Sequence, residues 1–241
     1  MEENWILKTP DGHTIYGIKN TTGSAKRAVF IVHGLTGHMY EYQHKRAADH
    51  FEEDYDVYRF NLYDGREGGR ALVDCTISTH ADDLNVVLKK FSGSYDKVFL
   101  IGHSYGGTTV MVANPKKVAA VSLWDPSYDL RGIQREFKKS YIEMGDYYQI
   151  NWGTSYLIGR AMYDEAGSLG VAACKNLSRE FEARIQVVLA GDGYYVGKPY
   201  SYDSFGIGSK RDIVAGTAHC FYEGKSCDDL LAKTQAWFES F

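Results

Sequence analysis

The sequence predicts an α/β chain built on a mostly parallel sheet flanked by helices. Three observations carry that prediction. Short apolar runs rich in β-branched and aromatic residues recur along the chain, and helix-length segments separate most of them. One of these runs, KVFLI, ends in GHSYGG, a serine held between glycines. Such alternation specifies parallel strands joined by crossover helices, and a glycine-flanked turn leaving a strand is a place where such sheets put chemistry.

In chain order, WILKT and TIYGIK flank Asp11-Gly12, so the first segment reads as a β-hairpin. The strands that follow are AVFIV (28–32), DVYRF (56–60), KVFLI (97–101), VAAVSLW (118–124), RIQVVLA (184–190) and RDIVA (211–215). Helices are expected over 79–92, where Leu84, Val87, Leu88 and Phe91 recur at helical spacing behind acidic first-turn residues, and over 227–241. Between VAAVSLW and RIQVVLA the rhythm breaks, and residues 127–183 hold no clear strand. The chain therefore divides into a core of residues 1–126 and 184–241 and an insertion, 127–183, expected to act as a helical cap or lid. The insertion is aromatic, with Tyr128, Tyr141, Tyr147, Tyr148, Trp152, Tyr156 and Tyr163. Packing onto the core and lining a substrate pocket are equally good uses for them.

Composition excludes several classes of partner. The 241 residues are 44% hydrophobic, enough for one sizeable core. A net charge of −4 and a pI near 6.1 leave no basic excess for nucleic acid or an anionic membrane surface. No apolar run approaches the about 18 residues of a bilayer span, and MEENWILKTPDG has no apolar h-region. A soluble, cytoplasmic protein acting on a small molecule is expected; nothing in the sequence sets its oligomeric state. Cys75, Cys174, Cys220 and Cys227 lie far apart without a CxxC pair, which fits free thiols. No HExxH or comparable ligand spacing occurs, so neither a metal nor another cofactor is expected. GREGGR (65–70) lacks the strand-to-helix context of a phosphate loop and reads as a flexible loop.

The serine fits a nucleophile elbow. That device needs a strand, a turn tight enough to strain the nucleophile, and a helix, with small residues on both sides. KVFLI supplies the strand, Gly102 and Gly106 flank Ser104, and GTTVMVA can open a helix. A serine hydroxyl needs a base to take its proton. His219, in AGTAHCFYEGK, is the one histidine downstream of Ser104, since the other seven fall in the first 103 residues. An oxyanion would need two N–H donors, expected from Tyr105 and from Leu35 in the loop after AVFIV.

Together AVFIVHGLTGHMYEY, VFLIGHSYGGTTVM and IVAGTAHCFYE resemble the serine hydrolases of the α/β-hydrolase fold. The nearest likeness is to the cinnamoyl/feruloyl esterase and monoacylglycerol lipase-like group, with bacterial acyl-transferase thioesterases next. The resemblance spans nearly the whole chain and implies a Ser-His-Asp triad. In these esterases the acid stands three residues beyond a glycine after the strand matching RIQVVLA; here GDGYYVG puts Tyr194 at that position. A phenol does not replace a carboxylate at neutral pH. Two acids compete. Asp192 is near that loop but out of register, while Asp125, in VSLWDPS, stands at the carboxyl edge where some members of the fold carry the acid. Asp125 is the preferred candidate.

The sequence thus predicts a carboxylic ester hydrolase with Ser104, His219 and Asp125, and with His103, Trp124, Tyr148, Trp152 and Tyr156 against the substrate. Acyl thioester cleavage or acyl transfer uses the same residues. The departure at Tyr194 also admits a non-catalytic binding protein on the same fold.

Overall fold

The computed structural model describes residues 1–136, 141–152, 154–198 and 208–241. Strands β1 (Glu2–Lys8) and β2 (Thr14–Asn20) pair antiparallel across the Asp11-Gly12 turn, with Gly12 at φ +90°. β2 then pairs antiparallel with β4 (Tyr55–Phe60). From there every pairing is parallel: β4 to β3 (Arg27–Val32), β3 to β5 (Lys97–His103), β5 to β6 (Ala120–Trp124), β6 to β10 (Arg184–Ala190) and β10 to β11 (Lys210–Val214). The sheet order is β1-β2-β4-β3-β5-β6-β10-β11.

The central strands are apolar at successive positions because both faces are covered. In β3, Ala28, Phe30 and Val32 enter one core while Val29 and Ile31 enter the other. Helices α1 (Tyr42–Phe51) and α7 (Ser226–Phe238) cover the second face with Ala47, Phe51, Leu230, Leu231 and Phe238. Helices α2 (Ile77–Phe91) and α3 (Tyr105–Ala113) cover the first with Leu84, Val87, Val110 and Met111. The start of α2 precedes the predicted one because Thr76 caps it, its hydroxyl taking the Thr79 N–H while the Thr79 hydroxyl takes the Thr76 N–H.

The insertion differs from expectation in one respect. Besides α4 (Leu130–Glu136), α5 (Arg160–Ser168) and α6 (Val171–Glu180), it forms a second, antiparallel sheet of β7 (Tyr141–Met144), β8 (Tyr147–Asn151) and β9 (Ser155–Gly159). These strands are four or five residues long, and Ile142, Met144, Tyr147 and Leu157 on them are exposed. Apolar residues on the solvated side blur the alternation that marks a strand in sequence. Tyr148, Ile150 and Ile158 face inward and join the α2/α3 core with Tyr128, Met162 and Cys174. All four cysteines are free thiols, and no helix among the described residues is long and apolar enough to cross a membrane.

Candidate active site

Ser104 sits between β5 and α3 with φ 56° and ψ −123°, a strained backbone that lifts its side chain from the sheet edge. Its N–H donates to Trp124 O at 3.0 Å, and its own carbonyl accepts from Gly107 and Ser127 N–H. The flanking glycines are demanded by contact. A Cβ on Gly102 would lie 2.8 Å from Gly106 O, and one on Gly106 would lie 2.3 Å from Val32 O. Gly106→Ala is accordingly expected to destabilise the fold by about 3 kcal/mol, lowering Tm by roughly 6–12 °C in a calorimetric scan. A Tm within 2 °C of wild type would contradict this packing.

His219 lies in the loop between β11 and α7. Its Nδ1–H donates to Asp125 Oδ2 at 2.6 Å. Asp125 follows β6 directly, is fully buried and has φ 38°. Its Oδ1 accepts the Ala190 N–H at 3.2 Å, so both carboxylate oxygens have assigned partners. Next in sequence, Pro126 packs on Gly107, where a Cβ would sit 2.5 Å from Pro126 Cβ. The Asp-Pro pair is thereby wedged between β6 and α3. Asp192, the competing acid, is not the partner of His219; its N–H donates to Thr217 O, in keeping with a turn residue.

The loop after β3 closes over the serine. A Cβ on Gly34 would come within 2.9 Å of Ser104 Cβ. His33, 1% exposed, pins this loop: its Nδ1–H donates to Gly34 O at 2.7 Å while Nε2 accepts the Leu62 N–H at 3.0 Å. Burial holds its imidazole down at about 4, so the neutral tautomer persists. Among the described residues the Leu35 N–H has no acceptor. Tyr105 opens α3, so the positive end of the helix faces the serine.

These groups border a cavity of about 380 Å³ that holds Ser104, Tyr105 and Ser127 on one side and Gly34, Leu35, Thr36 and Glu41 on another. Trp152, Tyr194 and Tyr195 form its aromatic wall, and His103, His219 and Cys220 complete it. Tyr194, at the position where a carboxylate was expected, is thus part of the wall. Ser104 Oγ faces Ser127 Oγ at 3.4 Å. An imidazole fixed by a carboxylate beside a strained serine can accept a hydroxyl proton, and N–H groups at a helix start can hold an oxyanion.

Of the residues expected to meet substrate, Trp152 and His103 border the cavity. Trp124 does not: it is fully buried in the α1/α7 core, its indole N–H donating to Thr234 Oγ1 at 3.0 Å. Large aromatic side chains at the end of a two-sided strand are claimed by packing. Tyr148 is also diverted, stacking on Tyr163 with ring centroids 3.9 Å apart, and Tyr156 is half-buried outside the cavity wall. Ser127, Glu41 and Cys220 escaped sequence reading. The signal for Ser127 was its place two residues after Asp125, and for Cys220 its place beside His219.

Glu41 is a buried carboxyl with Oε2 against Gly37 and 3.4 Å from His44 Nδ1, which donates instead to His38 O. Burial raises it from 4.5 to about 7. Protonation up to about pH 7 stabilises the folded state fully below about pH 4.5, and that contribution disappears as pH rises through 7. Relative to wild type, Glu41→Gln should therefore gain roughly 4–8 °C in Tm between pH 5 and pH 8, on the order of 2 kcal/mol. Parallel Tm curves for the two proteins would refute this.

Residues 23–144 match the family described as serine aminopeptidase, S33 (Hydrolase_4). The chain belongs to this family of α/β hydrolases. No match is found among curated proteins. Among solved structures the hydrolase is similar to Est1E from Butyrivibrio proteoclasticus with ferulic acid bound, at 14% identity, 98% of each chain and a TM-score of 0.82. It is also similar to an esterase domain from a Rhodothermus marinus protein, at 15% identity over 98% of this chain and 97% of that one, with a TM-score of 0.74. Alpha/beta hydrolase domain-containing protein 10 from mouse gives 14% identity, 99% of each chain and a TM-score of 0.74. At these identities the likeness establishes the fold.

Proposed function

We propose that this hydrolase cleaves carboxylic esters of small molecules through an acyl-enzyme on Ser104. The observation that carries the reading is the 2.6 Å bond from His219 Nδ1–H to buried Asp125, in a cavity shared with the strained Ser104. With Nδ1 protonated and held by the carboxylate, Nε2 is the basic nitrogen. Ser104 Oγ turns from Ser127 toward Nε2, gives up its proton and attacks the acyl carbonyl. The Leu35 and Tyr105 N–H groups take the developing oxyanion. His219 then protonates the leaving alcohol, and water, activated by the same ring, releases the acid.

Trp152, Tyr194 and Tyr195 would bind an aryl or acyl group, which agrees with ferulic acid being bound in Est1E. The segment 127–183 acts in this reading as the cap, since it contributes Trp152 to the cavity. The family description names aminopeptidases, which cleave amides, and that observation supports a second reading in which the same triad cuts an aminoacyl amide. Thioester cleavage is a third outcome for the same chemistry.

The test compares kcat/KM for a matched chromogenic aryl ester, its thioester and its aminoacyl anilide, together with labelling by a fluorophosphonate. Ester turnover exceeding the other two, with the label on Ser104 by mass spectrometry, is the expected result. A thioester or anilide preference above tenfold would replace the substrate class, and an unlabelled Ser104 would remove catalysis altogether.

A further inference from the structure

We infer that His103 is a positioning residue that clamps the main chain of His219, an inference that rests on the reading of His219 as general base. His103 ends β5, directly before the serine, and is 3% exposed. Its Nε2 lies 2.9 Å from the His219 carbonyl oxygen. A carbonyl only accepts, so Nε2 carries the proton and Nδ1 is left with a lone pair. The Gln43 side-chain amide approaches that lone pair, Nε2 to Nδ1 at 3.4 Å, from the buried face of α1. Gln43 thereby selects the tautomer that the His219 carbonyl requires.

The geometry divides the work of holding the base. Asp125 fixes the His219 ring through Nδ1, and His103 fixes its backbone from the opposite end. Between them the loop turns sharply, with Phe221 at φ 55° and its N–H on Ala218 O, and Glu223 takes the Thr217 hydroxyl and the Ala218 N–H. A histidine on a loop has to meet the serine within a fraction of an ångström, and a carboxylate on one ring nitrogen leaves the ring free to swing with its backbone. The second anchor removes that freedom.

The two imidazoles also have to share their space. Their ring centres are 4.8 Å apart at 36°. Burial, with the His219 ring as a further cause, holds His103 at about 3, so it stays neutral when His219 takes up a proton. A residue that donates one hydrogen bond, stays uncharged and fits beside an imidazolium serves this position.

The experiment uses three substitutions that differ in donor height. His103→Phe keeps a ring and loses both nitrogens, His103→Asn offers a donor near Nδ1 only, and His103→Gln restores one near Nε2. Expected are kcat losses of about tenfold or more for His103→Phe and His103→Asn, with KM within about twofold, and recovery of most of the loss in His103→Gln. In the same proteins, low-field proton NMR of the His219 Nδ1–H shared with Asp125 should shift or broaden in Phe and Asn variants and return in Gln. Equal behaviour of the Asn and Gln variants, or wild-type kcat with an unmoved resonance in His103→Phe, would overturn the inference. If no ester is turned over by wild type, the esterase reading fails by itself and the resonance comparison decides the role of His103. The Asn and Gln variants form a matched polar pair, so failure of the Phe variant to fold leaves the comparison intact.

Discussion

Replacing Ser104 with Ala is expected to lower kcat on an aryl ester by about 10⁶-fold while leaving the fold in place. The size follows from removing the nucleophile of a unit whose members act together; what remains is the modest acceleration from oxyanion donors and binding. The substitution keeps a Cβ at the same φ of 56°, so the elbow strain is unchanged and Tm should stay within about 2 °C. Ser127 supplies an internal control. Its hydroxyl is 3.4 Å from Ser104 Oγ, and its N–H donates to the Ser104 carbonyl, a backbone bond that alanine keeps. Adding Ser127→Ala to the Ser104→Ala protein should therefore change the residual rate less than twofold. Turnover above 1% of wild type in Ser104→Ala would end the assignment of the nucleophile.

Much of this site is legible in the sequence because its parts obey local rules. The elbow needs Gly102 and Gly106 because a Cβ there would lie 2.8 and 2.3 Å from backbone oxygens, so the motif survives as text. The order of apolar runs likewise fixes a parallel sheet, since buried strands are apolar on both faces. Other features depend on contacts between distant residues and leave no local trace. The partner of Trp124 is Thr234, 110 positions away, and nothing near VSLWDPS tells packing from substrate contact. His103 similarly bonds His219 across 116 positions. Glu41 is eight residues beyond His33 in an ordinary polar stretch, and only the closure of the loop onto Gly37 buries it. The β7–β9 sheet was hidden because its solvent-facing positions are apolar as well.

The insertion and the core share one hydrophobic cluster, which constrains any lid motion. Tyr128, Ile150, Ile158 and Met162 pack with Leu84, Val110 and Met111 of α2 and α3. Opening the whole insertion would expose these side chains at about 25 cal/mol per Å² of apolar surface, too great a cost for a catalytic cycle. Of the residues that border the cavity, Tyr195 belongs to this same cluster and Trp152 and Tyr194 pack against it, so the aromatic wall is held by the same packing.

Asp125→Asn is expected to lower kcat by about 10⁴-fold, and the neighbouring hydrogen bonds say why. Asp125 accepts from two donors, the His219 Nδ1–H at 2.6 Å and the Ala190 N–H at 3.2 Å. An amide has one oxygen for these two donors. The Ala190 N–H is fixed in β10 and has no alternative tautomer, so the amide oxygen turns to it and the NH₂ faces His219. The ring responds by moving its proton from Nδ1 to Nε2, the nitrogen that has to accept from Ser104. Base and nucleophile are then both donors, and the imidazolium that forms in the transition state has lost its counter-charge. Asp192→Asn changes kcat less than about threefold in the same assay, because its N–H bond to Thr217 O does not involve the side chain. Circular dichroism on both variants separates chemistry from folding, since Asp125 is fully buried and its carboxylate also takes the Ala190 N–H. A folded Asp125→Asn protein with near wild-type kcat, beside a severely impaired Asp192→Asn, would move the acid to the β10 loop and leave the 2.6 Å bond without a catalytic role.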